Sequence, residues 1–137
     1  MRRTKRFYEA YWRIWERYEL KNGVKLSAED LVYLKYDFEK KAEAVCKLAR
    51  LNSKLQRLNE LWANPPEIPN GRFKDWEEFE SFINKEYEKT EKKVYEIARE
   101  NGFYVRIQHD PRGSAIKLSL FEPKSIEFAG TDTDLIV

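Results

Sequence analysis

The chain has 137 residues, of which 42% are hydrophobic and 36% charged, with only five glycines and five prolines. This length and composition suit one domain with its own core, and they exclude collagen-like, low-complexity and intrinsically disordered classes. The single cysteine, Cys46, has no partner for an internal disulfide, which favours a reducing compartment. One cysteine and one histidine cannot complete a four-ligand structural zinc site.

The charge is unevenly distributed along the chain. Residues 1–21 carry seven basic and three acidic side chains, whereas residues 122–137 carry one basic and four acidic ones. The basic start lacks the apolar segment and the small-residue cleavage site of a secretory signal. No apolar run approaches the ~20 residues of a membrane-spanning helix. We therefore expect a cytoplasmic protein that has no membrane partner.

The first predicted helix covers roughly residues 4–21, because apolar side chains recur there at a spacing of three to four. Its aromatic residues are too many for one contact face. Two interpretations stay open. Either the helix is packed between two neighbours, or its aromatic and basic residues form a surface that contacts a protein or a nucleic acid. The candidate contact residues are Arg2, Arg3, Arg6, Tyr8, Trp12 and Trp15.

A second, long helix is predicted from the N-cap Ser27 to about Trp62, because no proline or glycine intervenes. Apolar residues seven apart form a heptad seam along it, but Lys41, Asn52 and Asn59 occupy positions that favour apolar side chains. The partner of this seam is either another helix of the same chain or a second copy. The second alternative gives a homodimer through residues 31–62, in which a buried Asn52 fixes the register.

Three prolines and an Asn-Gly pair between residues 64 and 73 predict a rigid connector. Asp75 is the predicted N-cap of a third helix, with Glu78 as its capping-box partner. The helical spacing ends at Asn101, where Gly102 supplies the left-handed conformation of a C-terminal cap.

After Gly102 the apolar spacing changes from 3.6 to 2, which predicts a β-hairpin. Ile116 and Leu118 fall on its apolar face, and Ser119 falls on the outer face. A short edge strand is expected at residues 125–129. The fold class is therefore α+β. It combines a long antiparallel helical hairpin and an N-terminal helix with a small C-terminal antiparallel β-hairpin or three-stranded sheet. We expect one domain, 1–137, with a helical part at 1–101 and a β part at 102–137.

The centre of the hairpin, Asp110-Pro111-Arg112-Gly113, matches a type I turn followed by a left-handed glycine. Turn geometry does not require Arg112, nor the Gln108-His109 pair before it. A guanidinium beside exposed backbone N–H groups suits a phosphate or a carboxylate. A solvated turn and an anion or partner contact both stay open, the contact residues being Gln108, His109, Asp110, Arg112 and Gly113.

Catalysis is not indicated by any of these residues. The sequence has no phosphate-binding glycine loop and no metal-ligand cluster, and no serine or cysteine nucleophile lies next to His109. Asp110 is its neighbour, but adjacent side chains of a strand point to opposite faces. We expect no enzymatic activity, no cofactor and no metal site.

The segment 98–120 has a helix ending in Glu-Asn-Gly, a strand, the sequence QHDPRG and an apolar strand. It resembles small uncharacterised proteins of phages and prophages, in which a glutamine is followed closely by Asp-Pro-Arg-Gly between two short strands. The resemblance covers under a fifth of the chain. It implies a mobile-element origin and a hairpin tip formed by Gln108, Asp110, Pro111, Arg112 and Gly113. It carries no activity over.

Three functions are consistent with these features. The first is a non-catalytic binding protein that inhibits a host protein machine, as anti-CRISPR and other anti-defence proteins do; its partner is a host or viral protein. The second is a nucleic-acid-binding accessory protein that uses the basic first helix and the hairpin, with an affinity that falls steeply with salt. The third is sequestration of a small anionic ligand at the Asp-Pro-Arg-Gly turn. The expected location is the cytoplasm of the host cell.

Overall fold

The computed structural model describes residues 3–22, 28–107, 116–119 and 134–135. It contains three helices, α1 (Lys5–Asn22), α2 (Ala28–Ala63) and α3 (Trp76–Asn101). A small antiparallel sheet follows, in the order β1 (Tyr104–Ile107), β2 (Ile116–Ser119) and β3 (Asp134–Leu135). The predicted α+β fold is confirmed. The strand expected at 125–129 lies outside the described residues.

Helix α1 begins at a cap that the sequence analysis did not identify. The hydroxyl of Thr4 accepts a hydrogen bond from the backbone N–H of Phe7 at 3.2 Å, which satisfies one of the free donors of the first turn. The buried side of α1 packs against α2, where the rings of Trp15 and Phe38 lie 4.4 Å apart. Packing between two neighbours does not account for the other side of α1, where Tyr8 and Trp12 are half exposed.

Helices α2 and α3 form the predicted antiparallel hairpin. At one end, the Lys41 ammonium contacts the backbone carbonyl of Asn101, at the C-terminus of α3. Further along, Lys54 and Glu86 form an ion pair at 2.9 Å. At the other end, the rings of Trp62 and Phe79 lie 6.2 Å apart. The contact positions rise along α2 as they fall along α3, so the two helices run in opposite directions.

The heptad seam of α2 is filled within the chain. Phe38, Leu48 and Leu55 are buried in the main core, and Asn52 is only 2% exposed. The side-chain oxygen of Asn52 accepts a hydrogen bond from the backbone N–H of Ile116 at 2.8 Å. Asn52 therefore attaches the sheet to α2, and a homodimer through this seam would require these side chains to leave the core.

The other two polar positions of the seam also bind groups within the chain. Besides its contact with Asn101, Lys41 places its ammonium 5.2 Å from the ring centre of Phe103, within range of a cation–π interaction. Asn59 forms a side-chain hydrogen bond with Tyr87 of α3. The interruptions of the heptad pattern are thus the points at which α2 makes polar contacts with the rest of the domain.

The predicted N-cap Asp75 and C-cap Gly102 of α3 are confirmed, whereas the role of the Glu78 side chain in a capping box stays a prediction. Asp75 has extended backbone angles, and its carboxylate accepts a hydrogen bond from the N–H of Glu78 at 2.8 Å. Gly102 has φ of 69°, the left-handed conformation that glycine adopts without a steric penalty. In the connector, the Asn70 side chain accepts hydrogen bonds from two backbone N–H groups, and Phe73 packs into a second, smaller core. The connector is therefore fixed by hydrogen bonds to its backbone and by the packing of the Phe73 side chain.

The sheet has the alternation that the sequence predicts, with one exception. Ile116 and Leu118 are buried, but Ser119, which we expected on the outer face, is only 3% exposed. Ser119 lies on β2, the central strand, where a strand is flanked on both sides, and it pairs with Tyr104 of β1. The last described pair of the ladder is Ile107 with Ile116. The turn predicted at 110–113 lies outside the described residues.

Candidate binding surfaces

Trp15 is not a contact residue. It is fully buried in the main core, against Phe38 and at right angles to the ring of Tyr18. It lies four positions after Tyr11, on the side of α1 that faces α2. Its expected place on a binding surface was therefore wrong. Its large ring contributes to the core instead, where aromatic side chains bury the most area.

Tyr8 and Trp12 remain as surface candidates, at 49% and 50% exposure. They are four positions apart and so lie next to each other on the helix surface. Each makes an edge contact with a buried ring, Tyr8 with Phe7 at 5.3 Å and Trp12 with Tyr11 at 5.2 Å. These contacts hold the two half-exposed rings against the core, which lowers the entropy lost when a partner covers them.

Arg3 has a structural role. Its guanidinium forms an ion pair with Glu39 of α2 at 2.9 Å and lies 4.4 Å from the ring centre of Phe7. The hydrogen bond to Glu39 raises the pKa of Arg3 above its ordinary value, which is already high enough to keep the group charged. Arg3 thus joins the start of α1 to α2. Arg2 lies outside the described residues.

Arg6 does not share a surface with the exposed aromatic residues of α1. With 3.6 residues per turn, Arg6 lies roughly 120–160° around the helix from Tyr8 and Trp12. Arg6 instead faces a shallow hollow against α2, with a volume of about 560 Å³. We call this hollow the arginine hollow, and it is lined by Arg6, Arg50, Ser53, Gln56, Arg57 and Glu60. The expected interleaved surface of arginine and tryptophan was therefore wrong in its geometry.

Among the residues whose burial the structure describes, the most exposed large apolar side chains belong to the first turns of α2. Val32, Tyr33 and Tyr36 are 73%, 82% and 85% exposed, and we call these three residues the α2 tip. Helix α3 ends at Asn101, beside Lys41, so the part of α2 before Lys41 extends past the end of α3. The seven-residue spacing of α2 predicted only its heptad seam. The three residues of the α2 tip lie outside that seam. Apolar side chains at three positions outside the seam were the sequence signal that could have indicated a second apolar surface on α2.

A groove between α2 and α3 was also not anticipated. It has a volume of about 430 Å³ and is lined by Leu58, Asn59, Trp62, Ala63, Ile83, Asn84, Tyr87, Glu88 and Glu91. Trp62 is half exposed. Burial, with a smaller contribution from the charge of Glu91, raises the pKa of Tyr87, so this phenol stays neutral at physiological pH. An aromatic wall with carboxylates beside it suits an apolar group that carries a positive charge.

The hairpin residues Gln108, His109, Asp110, Arg112 and Gly113 lie outside the described residues, so their role stays a prediction. Within residues 3–22, 28–107, 116–119 and 134–135, no group of three or more His, Cys, Asp or Glu side chains is arranged to hold a metal ion. Along the same residues, no helix combines the length and the apolar character that crossing a bilayer requires. No protein-family model, curated protein or solved structure matches the chain.

Proposed function

We propose that this is a non-catalytic binding protein that inhibits or modulates a host protein machine by forming a stoichiometric complex with it. The observation that carries the proposal is the α2 tip. Its three apolar side chains are exposed by 73% to 85%, although the domain fills its core without them. Residues in this position contribute to stability only when something covers them.

The chemistry of these residues suits a protein partner. Tyrosine and tryptophan are enriched at protein interfaces because each ring buries a large area and fixes few rotatable bonds. The α2 tip and the pair Tyr8–Trp12 both stand on helices, so their backbone is ordered before binding. Preorganisation of this kind reduces the entropy that association loses, and leaves more of the contact energy as affinity.

We propose the class of the target protein from the resemblance of segment 98–120 to small phage and prophage proteins. Small proteins of mobile elements without a catalytic constellation commonly act by occluding a host component, and anti-CRISPR or other anti-defence inhibition is the concrete form. The partner would then be a host or viral protein, encountered in the host cytoplasm.

The experiment is an affinity capture from host lysate with tagged protein, carried out after nuclease digestion. We expect a protein partner in stoichiometric amount from the natural sequence. The double variant Tyr33→Ser/Tyr36→Ser should lose that partner while its thermal unfolding is unchanged, because both side chains lie outside the core. The matched control is Tyr95→Ser/Tyr104→Ser, which removes two half-exposed tyrosines elsewhere, at 48% and 42% exposure.

Equal capture by both double variants would refute a role for the α2 tip. A partner that disappears with nuclease would favour the second candidate, a nucleic-acid-binding accessory protein. That candidate is favoured by one specific observation, the three guanidiniums of the arginine hollow. Sequestration of a small anion at the Asp-Pro-Arg-Gly turn is the third candidate, and it would be detected by titration with small phosphates and carboxylates.

A further inference from the structure

We infer that the arginine hollow is a binding site for the phosphodiester backbone of a nucleic acid. Arg6 reaches it from α1, and Arg50 and Arg57 reach it from α2. None of the residues of the α2 tip lines the hollow. The protein-binding function proposed above and this site can therefore be tested separately.

Among the described residues, the positive charge of the hollow is only partly balanced by negative charge. Arg6, Arg50 and Arg57 are all exposed, and within the described part of the chain no carboxylate forms an ion pair with any of them. Glu60 is the single acidic residue of the lining, so three positive charges face one negative charge. An anion that enters the hollow meets guanidiniums that are free to bind it.

The start of α1 adds to this positive potential. The first turn of α1 has no acidic residue, and its basic side chains oppose the helix dipole, whose positive end lies at the N-terminus. Such an arrangement destabilises a helix in isolation.

Arg6 and Arg50 also both act on the half-buried thiol of Cys46. Burial raises the pKa of this thiol, and the charges of the two arginines lower it by a smaller amount. The two guanidiniums, from different helices, therefore act on the same region.

The shape and chemistry of the hollow favour a chain of phosphates over a compact anion. Arg50 and Arg57 are seven residues apart, about 10 Å along the helix axis at 1.5 Å per residue. The hydroxyl of Ser53 already donates to the carbonyl of Ala49 at 3.2 Å. The donors are thus spread guanidiniums, whose planar forks match phosphate oxygens, and not the converging backbone N–H groups of an enclosed phosphate site.

The lining also indicates what the hollow does not recognise. Its lining contains no aromatic ring on which a base could stack and no aliphatic residue such as leucine or valine. Phosphate contacts position a nucleic acid without reading its sequence. We therefore expect binding that is independent of sequence and that weakens steeply as the salt concentration rises.

The test is fluorescence anisotropy of a labelled mixed-sequence oligonucleotide, single-stranded and duplex, titrated with the full chain at several salt concentrations. Three phosphate contacts give a slope of log Kd against log salt of about 2 for a single strand and about 2.7 for a duplex. Each of Arg6→Ala, Arg50→Ala and Arg57→Ala should reduce that slope by about 0.7 to 0.9. Arg50→Lys should keep the slope, because it keeps the charge.

The matched control is Arg99→Ala, which removes one arginine from an exposed position on α3 and should leave the slope unchanged. A fall in slope for Arg99→Ala equal to that for Arg50→Ala would overturn the site, since it would show only an effect of net charge. In the triple arginine variant, Arg6→Ala, Arg50→Ala and Arg57→Ala are combined. Oligonucleotide binding that persists in this variant would also overturn the proposed site. So would binding of pyrophosphate without binding of either oligonucleotide, which would indicate a compact anion site. Circular dichroism of each variant confirms that it is folded.

The outcome is distinguishable from failure of the proposed function. The triple arginine variant should still capture the protein partner through the α2 tip. The variant Tyr33→Ser/Tyr36→Ser should keep the full salt dependence of oligonucleotide binding. Loss of both properties in either variant would show that the two surfaces are one, contrary to the inference.

Discussion

Asn52, a polar residue in the core, connects α2 to the β-sheet through a buried hydrogen bond. Its amide oxygen is the acceptor for the Ile116 N–H at the start of β2, in a part of the core where water is excluded. A buried backbone donor without an acceptor is costly, because it gives up its hydrogen bond to water and gains none in return. This hydrogen bond therefore adds a specific polar contact to the apolar packing that attaches the sheet to α2.

Replacing Asn52 by leucine should lower the free energy of unfolding by about 1–3 kcal/mol, although leucine is the residue that a heptad position favours. Urea denaturation followed by circular dichroism measures the change. Ser53→Ala, at the neighbouring exposed position, should change stability by no more than about 0.5 kcal/mol. Indistinguishable midpoints for the two variants would show that the hydrogen bond of Asn52 is not important.

Two tryptophans three positions apart provide a second test. Trp15→Ala should cost about 3–5 kcal/mol, because a fully buried ring leaves a cavity. Trp12→Ala should cost about 1 kcal/mol or less, since half of that side chain is already exposed. Thermal unfolding of the two variants compares them directly. Similar losses would contradict the placement of α1 on α2.

The sequence did not distinguish these two tryptophans for a physical reason. Phe7, Tyr11 and Trp15 form one apolar stripe on α1, and Tyr8 and Trp12 form a second stripe beside it. Both stripes have helical spacing, so periodicity alone does not say which of them faces α2. Only the docking of α1, fixed partly by the pair Arg3–Glu39, decides it.

At the scale of elements, α3 ends where α2 provides a cation. The last carbonyls of a helix lack partners within it, and a positive charge there also interacts favourably with the helix dipole. Lys41 supplies both through its contact with the Asn101 carbonyl. Lys41→Met should therefore cost about 1 kcal/mol and increase hydrogen exchange at residues 98–102. Lys40→Met, at an exposed neighbouring position, is the control, and equal exchange in the two variants would exclude this capping role.

The ion pair between α2 and α3 gives a dependence on pH. The hydrogen bond from Lys54, more than its charge alone, lowers the pKa of Glu86. A lowered pKa means that the unfolded chain binds this proton more readily. The contribution of the pair is therefore complete above the ordinary pKa of glutamate, about 4.3, and is lost as the pH falls through the lowered value.

Glu86→Gln should accordingly be less stable than the natural sequence at pH 7, and this difference should shrink by pH 3. The effect should be small, because the pair is partly exposed to solvent. Urea midpoints of both proteins at the two pH values measure it. A difference that is the same at pH 7 and pH 3 would show that the pair does not contribute to stability through this ionisation.

Most helices and strands could be predicted because apolar spacing and capping residues within each segment indicate them. Asp75 and Gly102 mark the ends of α3 through the backbone geometry that their side chains permit, and both caps are present. The polar residues of the α2 seam could not be interpreted in the same way. Whether Asn52 faces a second copy or a strand 64 residues away depends on long-range packing, which no local pattern encodes.

At the scale of the whole molecule, the unequal lengths of α2 and α3 determine what is left exposed. Helix α2 has 36 residues and α3 has 26, and the start of α2 extends past the end of α3, which lies beside Lys41. The α2 tip lies on this extension, while the arginine hollow lies further along the same helix. The apolar residues off the seam indicate an extra surface on α2, but whether it is exposed depends on how helices of different length pack together.

The most direct measurement of the central proposal is site-specific photo-crosslinking. A photoreactive phenylalanine is placed at Tyr36 on the α2 tip in one protein and at Tyr95 on α3 in another, and both are irradiated in host lysate. We predict one crosslinked host protein from position 36 and none from position 95. Crosslinking from position 95 alone, or no crosslink from position 36, would contradict the proposal that the α2 tip binds a protein partner.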